Sequence, residues 1–433
     1  MSETTLIQIV PALRPQSDGI SDYALNLAGQ LRQNQGVNTR FIVCDPQWDG
    51  PNRVEGFVVR RLRERTEASI WSLLASAKEP SFGVLLHYCG YGYDERGTPL
   101  WLSRGLRSWQ AEAAYATGAE TRKFATVFHD TWPCSAAPWG KAFYREKLQQ
   151  WIVKRLHRDS NFSVTSAWRL LAVLNHVAPK KTLWLPTPSN LPVAVRTGEG
   201  KQNREAGFRV VIFGTPHSRC AAVQAHANLL RTLDKKKLLA RATILGAADD
   251  TVVSKRGVEL LQKSVSSGRI EILGGLNAEA ASRVLTDADL LLSHRTGEAA
   301  CQSGAIMAAL GTGCPAVLRD GRNSAPLNEN EHFIASDDSR LSVDRFERMN
   351  ATGKLERIAA AGQQWYRQHA DLKVIARRYS EALFENKLAA TTDFAPAEIP
   401  AGPIEIRSRQ PLMNPSASVL PHASETGSNF GRC

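Results

Sequence analysis

The chain has 433 residues, 43% of them hydrophobic and 22% charged, a globular composition too long for one ordinary core, so two domains of roughly 150 to 200 residues are expected. No apolar run approaches the ~18 residues of a membrane span, and the opening Met-Ser-Glu-Thr-Thr carries an acid and no basic region, so neither insertion nor secretion is expected and the cytoplasm is the expected location. A net charge of +12 favours an anionic partner, whether nucleotide, phospholipid surface or nucleic acid, while seven cysteines without a C-x-x-C pair suggest neither a zinc site nor a disulfide framework.

Residues 6–11 (LIQIVP) read as a first strand. Apolar residues at Ile20, Ala24, Leu27, Ala28 and Leu31 then fall at helical spacing, so a helix begins directly after Gly19. A glycine there lets backbone amides approach a ligand. Residues 39–44 and 56–60 are further strands. The densest basic cluster, Arg60-Arg61-Leu62-Arg63-Glu64-Arg65, has no interleaved aromatics, which favours a solvated or membrane-facing surface over base recognition. Phe82–Tyr88 is a buried strand opening into a glycine-rich loop, residues 100–118 are helical, and residues 123–129 form a strand that closes on His129-Asp130-Thr131-Trp132-Pro133. His129 therefore sits at the carboxyl edge of a sheet, where open α/β sheets bind ligands, or else is a histidine satisfied by loop backbone. Residues 141–158 form a basic amphipathic helix, followed by strands at Phe162–Thr165 and residues 182–185.

Residues 187–206 are rich in proline, glycine and polar side chains and read as a linker between an N-terminal domain (1–186) and a second domain (207–372). The second opens with the strand 208–214 (FRVVIFG), then Thr215-Pro216-His217-Ser218-Arg219 and a helix over 221–233. Strands follow at 242–246, 270–273 and 290–292. Residues 355–389 read as helical, with a C-terminal helix set apart at 373–390 and a disordered tail at 391–433. The alternation implies two doubly wound, Rossmann-like α/β domains facing each other across a cleft.

The stretch 285–317 holds the most local information. Leu290-Leu291-Leu292 turns abruptly polar at Ser293-His294-Arg295-Thr296-Gly297-Glu298, as a buried parallel strand does where its end opens into a loop. Ser303 can cap the small-residue helix that follows, and Gly304 leaves room at its exposed amides. Such an end attracts anions by roughly 0.3–1 kcal/mol, and His294, Arg295 or Gln302 could add donors. It is either a diphosphate seat or an ordinary capped βαβ turn.

Several of these features together resemble the GT-B glycosyltransferases, above all those of the retaining family-four type. They are Asp18-Gly19-Ile20 before a helix, His129-Asp130 at a strand end, and Val210-Val211-Ile212-Phe213-Gly214 opening the second half. The last is Ala288-Asp289 ahead of the helix that ends at Gly313-Cys314-Pro315. The pattern covers roughly residues 5–385, and its pieces occur in the family's order. The resemblance implies a nucleotide-sugar donor held mostly by the second domain and a saccharide or lipid-linked acceptor held mostly by the first. It would bring Gly19 to the diphosphate or the acceptor, His129 to the transferred sugar, Gly214 and Arg219 to the phosphates, Leu273 to the base and Ser303-Gly304 to the diphosphate. No metal or other cofactor is implied, since donors aimed at the leaving group's developing charge lower the barrier; removing one commonly costs roughly 10²–10³ in rate.

The chain departs from the family where acids are usual. Two glutamates stand eight positions apart in this type, and here Ala300 and Ala308 hold those places. Glu298, two residues from the first, is the candidate substitute or a surface glutamate. Gln302 stands where a subset carries lysine, and Thr215 where an arginine is usual. If transfer inverts configuration, Asp130 or His129 is the candidate base; if it retains, the leaving phosphate accepts the proton.

Asp287-Ala288-Asp289 has a metal-binding D-x-D form but precedes a buried strand and reads as a helix end and turn. No G-x-S-x-G, H-E-x-x-H or Walker loop is present. Trp132 and Trp139 are candidates to line an acceptor groove. The expected activity is sugar transfer in cell-surface polysaccharide or glycolipid synthesis, with peripheral contact to an anionic membrane. The alternatives are a catalytically silent nucleotide-sugar-binding protein and a GT-B epimerase, with nucleic-acid binding a distant last.

Overall fold

A computed structural model describes residues 4–14, 19–77, 82–115, 123–129, 140–179, 181–193, 207–246, 251–321, 323–336 and 343–385. Asp130, Trp132, Trp139 and the 391–433 tail lie outside the described residues.

The first half runs β1 (Thr4–Val10), α1 (Gly19–Gln35), β2 (Val37–Val43), β3 (Arg53–Val54), β4 (Phe57–Arg61), α2 (Glu67–Ala75), β5 (Phe82–Tyr88), α3 (Gly90–Tyr93), α4 (Leu100–Tyr115), β6 (Lys123–Phe128), α5 (Lys141–Asp159), β7 (Phe162–Thr165), α6 (Trp168–Val177) and β8 (Thr182–Trp184). These strands form one sheet in the order β3-β4-β2-β1-β5-β6-β7-β8, parallel except for the antiparallel β3–β4 pair. Helices cover both faces, so the inner strands are near-continuous apolar runs, and β1 is buried from Thr5 to Val10.

The second half runs β9 (Phe208–Phe213), α7 (Pro216–Ala225), α8 (Ala227–Lys235), β10 (Leu239–Leu245), α9 (Val252–Gln262), β11 (Ile270–Leu273), α10 (Ala278–Asp287), β12 (Leu290–Leu292), α11 (Gly304–Thr312), β13 (Ala316–Leu318), β14 (Ile334–Ala335), α12 (Val343–Ala351), α13 (Lys354–His369) and α14 (Leu372–Phe384). Its sheet has the order β11-β10-β9-β12-β13-β14, all parallel. The architecture is therefore two doubly wound α/β sheets.

Strand order locates the functional edge. In the first sheet successive strands build outward to both sides of β1; in the second they do so about β9. Ligands of open α/β sheets bind beyond the carboxyl ends of strands at such switch points. The loops after β1, β6, β9 and β12 carry most of the candidate residues.

One local outcome differs from the sequence pattern, and two more concern the C-terminal helices. The helix expected over 221–233 is two helices meeting at His226, whose buried ring is drawn to the Ser293 carbonyl. The long helical stretch after residue 355 breaks at Asp371, whose carboxylate caps α14 by accepting from Lys373 N at 2.8 Å. And α14 packs mainly on the first half: Ile375, Tyr379 and Leu383 share a buried cluster with Leu6, Leu27, Leu85 and Val127. Asp287-Ala288-Asp289 is a helix end and turn, with Asp289 Oδ2 accepting from Arg209 N.

The halves touch along β8, α6 and residues 187–190. Trp168 and Trp184 stack at 4.5 Å, and Trp184 joins a core cluster containing Leu285, Ile306 and Ala308. Thr187 N donates to Cys301 O at 2.9 Å, and Ser189 N to the Tyr366 hydroxyl at 3.3 Å.

Candidate functional site

On the second half, three loops meet. Gly214, just past β9, has φ +135°, a region that disfavours any side chain; a Cβ there would lie 3.3 Å from Ser218 Cβ and 4.0 Å from Ala305 Cβ. The β9 turn thus rests against the first residues of α11. Thr215 caps α7 by accepting from Ser218 N, with Pro216 in the first turn where its missing N–H costs nothing. The His294 ring hydrogen-bonds the Ser218 backbone, which ties the β12 loop to the same place. Burial first, and then the neighbouring Arg295 charge, lower His294 to about 4, so it is neutral at pH 7.

Ser303 Oγ accepts from Ile306 N at 3.4 Å and caps α11, whose first amides, at half-buried Gly304 and Ala305, have no partner within the helix. Gln302 is exposed at the end of the 3-10 turn Gly297–Gln302.

Arg219 is 5% exposed and turned inward. Its Nη1 donates to Gly214 O at 2.7 Å and its Nη2 to Ser254 Oγ at 3.0 Å, beneath Gly246. With Leu273, Gly274, Gly246 and Lys255 it lines a cavity of about 380 Å³ at the ends of β10 and β11, within the size range of small-molecule sites.

On the first half, Gly19 is the first residue of α1, and a Cβ there would meet open space. His129 follows β6 and donates its backbone N–H to Tyr88 O at 3.0 Å. Its Nε2 lies 3.0 Å from His87 Nδ1, and His87 Nε2 lies 2.7 Å from Gln8 Oε1. The two rings stack at 5.3 Å, and the Tyr23 ring stands edge-on to both. The Tyr23 hydroxyl meets that of Tyr379 on α14 at 2.9 Å. Burial lowers His129 to about 4 and lowers His87 further below its ordinary range, with the neighbouring His129 adding to the effect at His87. Both rings are neutral at pH 7.

The 187–190 crossing joins the two edges. Asn190 Nδ2 donates to Gly19 O at 3.5 Å, and Pro188 O lies 4.0 Å from where a Gly304 Cβ would stand. Tyr23, one turn along α1 from Gly19, touches His129. Gly19, His129, Gly214, His294, Ser303 and Gly304 are thus linked through a short series of contacts. Arg219 and Leu273 belong to the adjoining cavity. Glu298 stands apart from them: its Oε2 accepts from Arg169 Nη2 at 3.0 Å, an ion pair that bridges the halves.

Ala300 and Ala308 are 0% and 1% exposed and sit in the apolar cluster under α11. Gln8, His87 and His226 carry no candidate role in the sequence reading. The signal that marks the first two is a polar residue interrupting a buried apolar strand, LIQIV and VLLHY. Among the described residues, no group of three or more His, Cys, Asp or Glu could hold a metal ion.

No protein-family model matches the chain. No curated protein sequence matches it either. Solved structures do. A sucrose-phosphate synthase from Thermosynechococcus elongatus superposes with a TM-score of 0.61 at 13% identity, over 89% of this chain and 100% of that one. A glycosyltransferase from Rickettsia africae gives 0.59 at 12% identity over 89% and 99%. Anabaena HepE in complex with UDP-glucose gives 0.57 at 12% identity over 88% and 99%. At such identities the likeness establishes the fold: the chain has the two-domain, Rossmann-like GT-B architecture of these proteins.

Proposed function

We propose that the protein is a GT-B glycosyltransferase that moves a sugar from a nucleoside-diphosphate sugar to a saccharide or lipid-linked acceptor in cell-surface polysaccharide or glycolipid synthesis. The observation that carries this reading is the meeting of Gly214, His294 and the capped start of α11 opposite Gly19 and His129. Glycines leave backbone amides open, and a helix start favours the diphosphate. HepE, of the same fold, binds UDP-glucose.

In the proposed reaction the acceptor hydroxyl attacks the anomeric carbon, and the bond to the diphosphate breaks with its electron pair passing to the phosphate oxygen. The α11 amides then face the charge that develops there. His129, neutral at pH 7, hydrogen-bonds the sugar rather than holding a charge. With Glu298 engaged by Arg169, the departing phosphate takes the acceptor proton if configuration is retained, and Asp130 or His129 takes it if configuration inverts. No metal enters this scheme, so a chelator should leave turnover unchanged.

Calorimetric titration with uridine and guanosine diphosphates and their sugars tests the reading. Micromolar binding with donor hydrolysis supports it, and absence of binding to the whole panel overturns it. Binding without hydrolysis supports a second reading, a nucleotide-sugar-binding protein without activity. That reading is favoured by the two buried alanines in place of the usual acids.

The lipid-linked acceptor and peripheral membrane contact draw support from α5 (Lys141–Asp159). Tyr144 and Trp151, 65% and 48% exposed, share one face with Lys147 and Arg158, a pattern suited to an anionic lipid surface. Among the described residues no helix is long and apolar enough to cross a membrane. Sedimentation with anionic against zwitterionic vesicles tests this contact.

A further inference from the structure

The carboxyl edge of the first sheet holds a chain of side chains of which the transfer scheme uses only the last, His129. Gln8 on β1, His87 on β5 and His129 after β6 stand on three adjacent strands, with β1 paired to β5 and β5 to β6. Gln8 and His87 are both 0% exposed, and only His129 reaches the surface. A buried polar group is retained at a cost unless its bonds are made, so the direction of each bond in this chain is fixed by the chemistry of its end.

That end is the carboxamide oxygen of Gln8, which can only accept. His87 must therefore carry its proton on Nε2, 2.7 Å away, which leaves His87 Nδ1 as a bare lone pair. That lone pair lies 3.0 Å from His129 Nε2, so His129 donates from Nε2 and keeps its own lone pair on Nδ1. The Tyr23 ring, edge-on to both imidazoles and held by Tyr379, confines the two ring planes.

We propose that Gln8 and His87 are positioning residues that fix the tautomer of His129, so that His129 presents a hydrogen-bond acceptor, not a donor, to the hydroxyl groups of a bound sugar. Gln8 acts as the selector. Rotating its amide by half a turn would offer an N–H to His87, reverse both bonds and place the His129 proton on Nδ1. In this orientation Gln8 Nε2 is buried with no hydrogen-bond partner among the described residues, and half a turn would leave Oε1 idle in its place, so the His129 tautomer itself reports which orientation is held. The role for the sugar rests on the transferase reading; the tautomer does not.

The test is ¹⁵N-histidine NMR of the full-length protein at pH 7, with the His129 signal assigned by its loss in His129→Gln. The expected wild-type spectrum shows His129 as the neutral Nε2–H form. Gln8→Met, similar in size and without a strong acceptor, should give a mixed or reversed tautomer, while Gln8→Glu, which accepts when ionised, should restore the Nε2–H form at a pH where its carboxyl is ionised. A wild-type His129 protonated on Nδ1 overturns the proposal without any variant. So does a tautomer indifferent to Gln8→Met in a folded protein. With a donor in hand, Gln8→Met should lower kcat roughly tenfold with KM unchanged, and Gln8→Glu should recover it. If no nucleotide sugar is turned over, the transferase reading fails while the spectrum still decides the tautomer.

Discussion

The two facing edges are built from different materials. On the first half the candidate site is made of side chains: His129, just past the end of β6, backed by His87 and Gln8 from two strands and edged by Tyr23 from a helix. On the second half it is made largely of backbone: Gly214, the Ser303 cap and the open start of α11, with His294 as the side chain tied among them. An edge of amides suits a diphosphate, which needs many donors and little discrimination. Locked neutral imidazoles suit a sugar, whose hydroxyl groups must be told apart by the direction of each bond.

The largest expected effect breaks the amide edge from beneath. Ala308 is 1% exposed in an apolar cluster, so Ala308→Glu would bury a carboxylate with no partner there and should cost about 3–5 kcal/mol of stability, read from urea unfolding. Wild-type stability would mean that α11 moves to admit the acid, and with it that the usual glutamate could be accommodated in this chain.

Acid acts on both edges through their histidines. His129 and His294 are each lowered from 6.5 to about 4, chiefly by burial. Below pH 6.5 the unfolded chain takes up protons at both rings, while the folded chain does not until near pH 4. Stability is therefore fully present above pH 6.5 and falls as pH drops toward 4. Melting temperatures from pH 7.5 to 4.5 should show this decline, and His129→Asn and His294→Asn should each make it shallower, leaving the part due to His87, His157 and His332, which burial also lowers. If only one of the two single variants makes the slope shallower, only that edge holds its imidazole neutral.

A smaller change touches the second edge alone. Gly304→Asp places a negative side chain at the start of α11, where it should weaken nucleoside diphosphate binding roughly tenfold, about 1.4 kcal/mol, by competing for the amides and repelling the phosphate. Titration calorimetry reads it directly. Unchanged affinity would move the phosphates to another place, with the Arg219 cavity next in line.

The same contrast governs what could be read from the sequence. Apolar runs such as FRVVIFG and LLL disclose buried parallel strands, and glycines and a capping serine at strand ends disclose the amide edge, because these are local signals with a local cause. Partners distant in sequence were not legible. Gln8, His87 and His129 are strung across three strands, and nothing around LIQIV says which residue on another strand will face Gln8. Tyr379 lies 356 residues from the Tyr23 it meets, because α14 returns to the first half for apolar burial that its own periodicity cannot assign. The inward turn of Arg219 likewise depends on Ser254, 35 residues on.

Glu298 shows why that distinction matters, and it gives the smallest expected effect. As a sequence feature it is the one acid near an empty place in the family pattern; in the structure it meets Arg169, 129 residues away, across the junction of the halves. Half of the Arg169 side chain is exposed, so breaking the pair should cost only about 0.2–1 kcal/mol. The two roles separate in a double-mutant cycle. If the pair is a tie between halves, Arg169→Ala, Glu298→Gln and the double variant lose about the same stability and keep donor turnover within a few-fold. If Glu298 carries chemistry, Glu298→Gln alone loses roughly 10² or more in rate, and Arg169→Ala, by freeing the carboxylate, leaves turnover standing. The first pattern is expected, because the bond that holds Glu298 is made to the opposite half and not to the cleft edge where α11 begins.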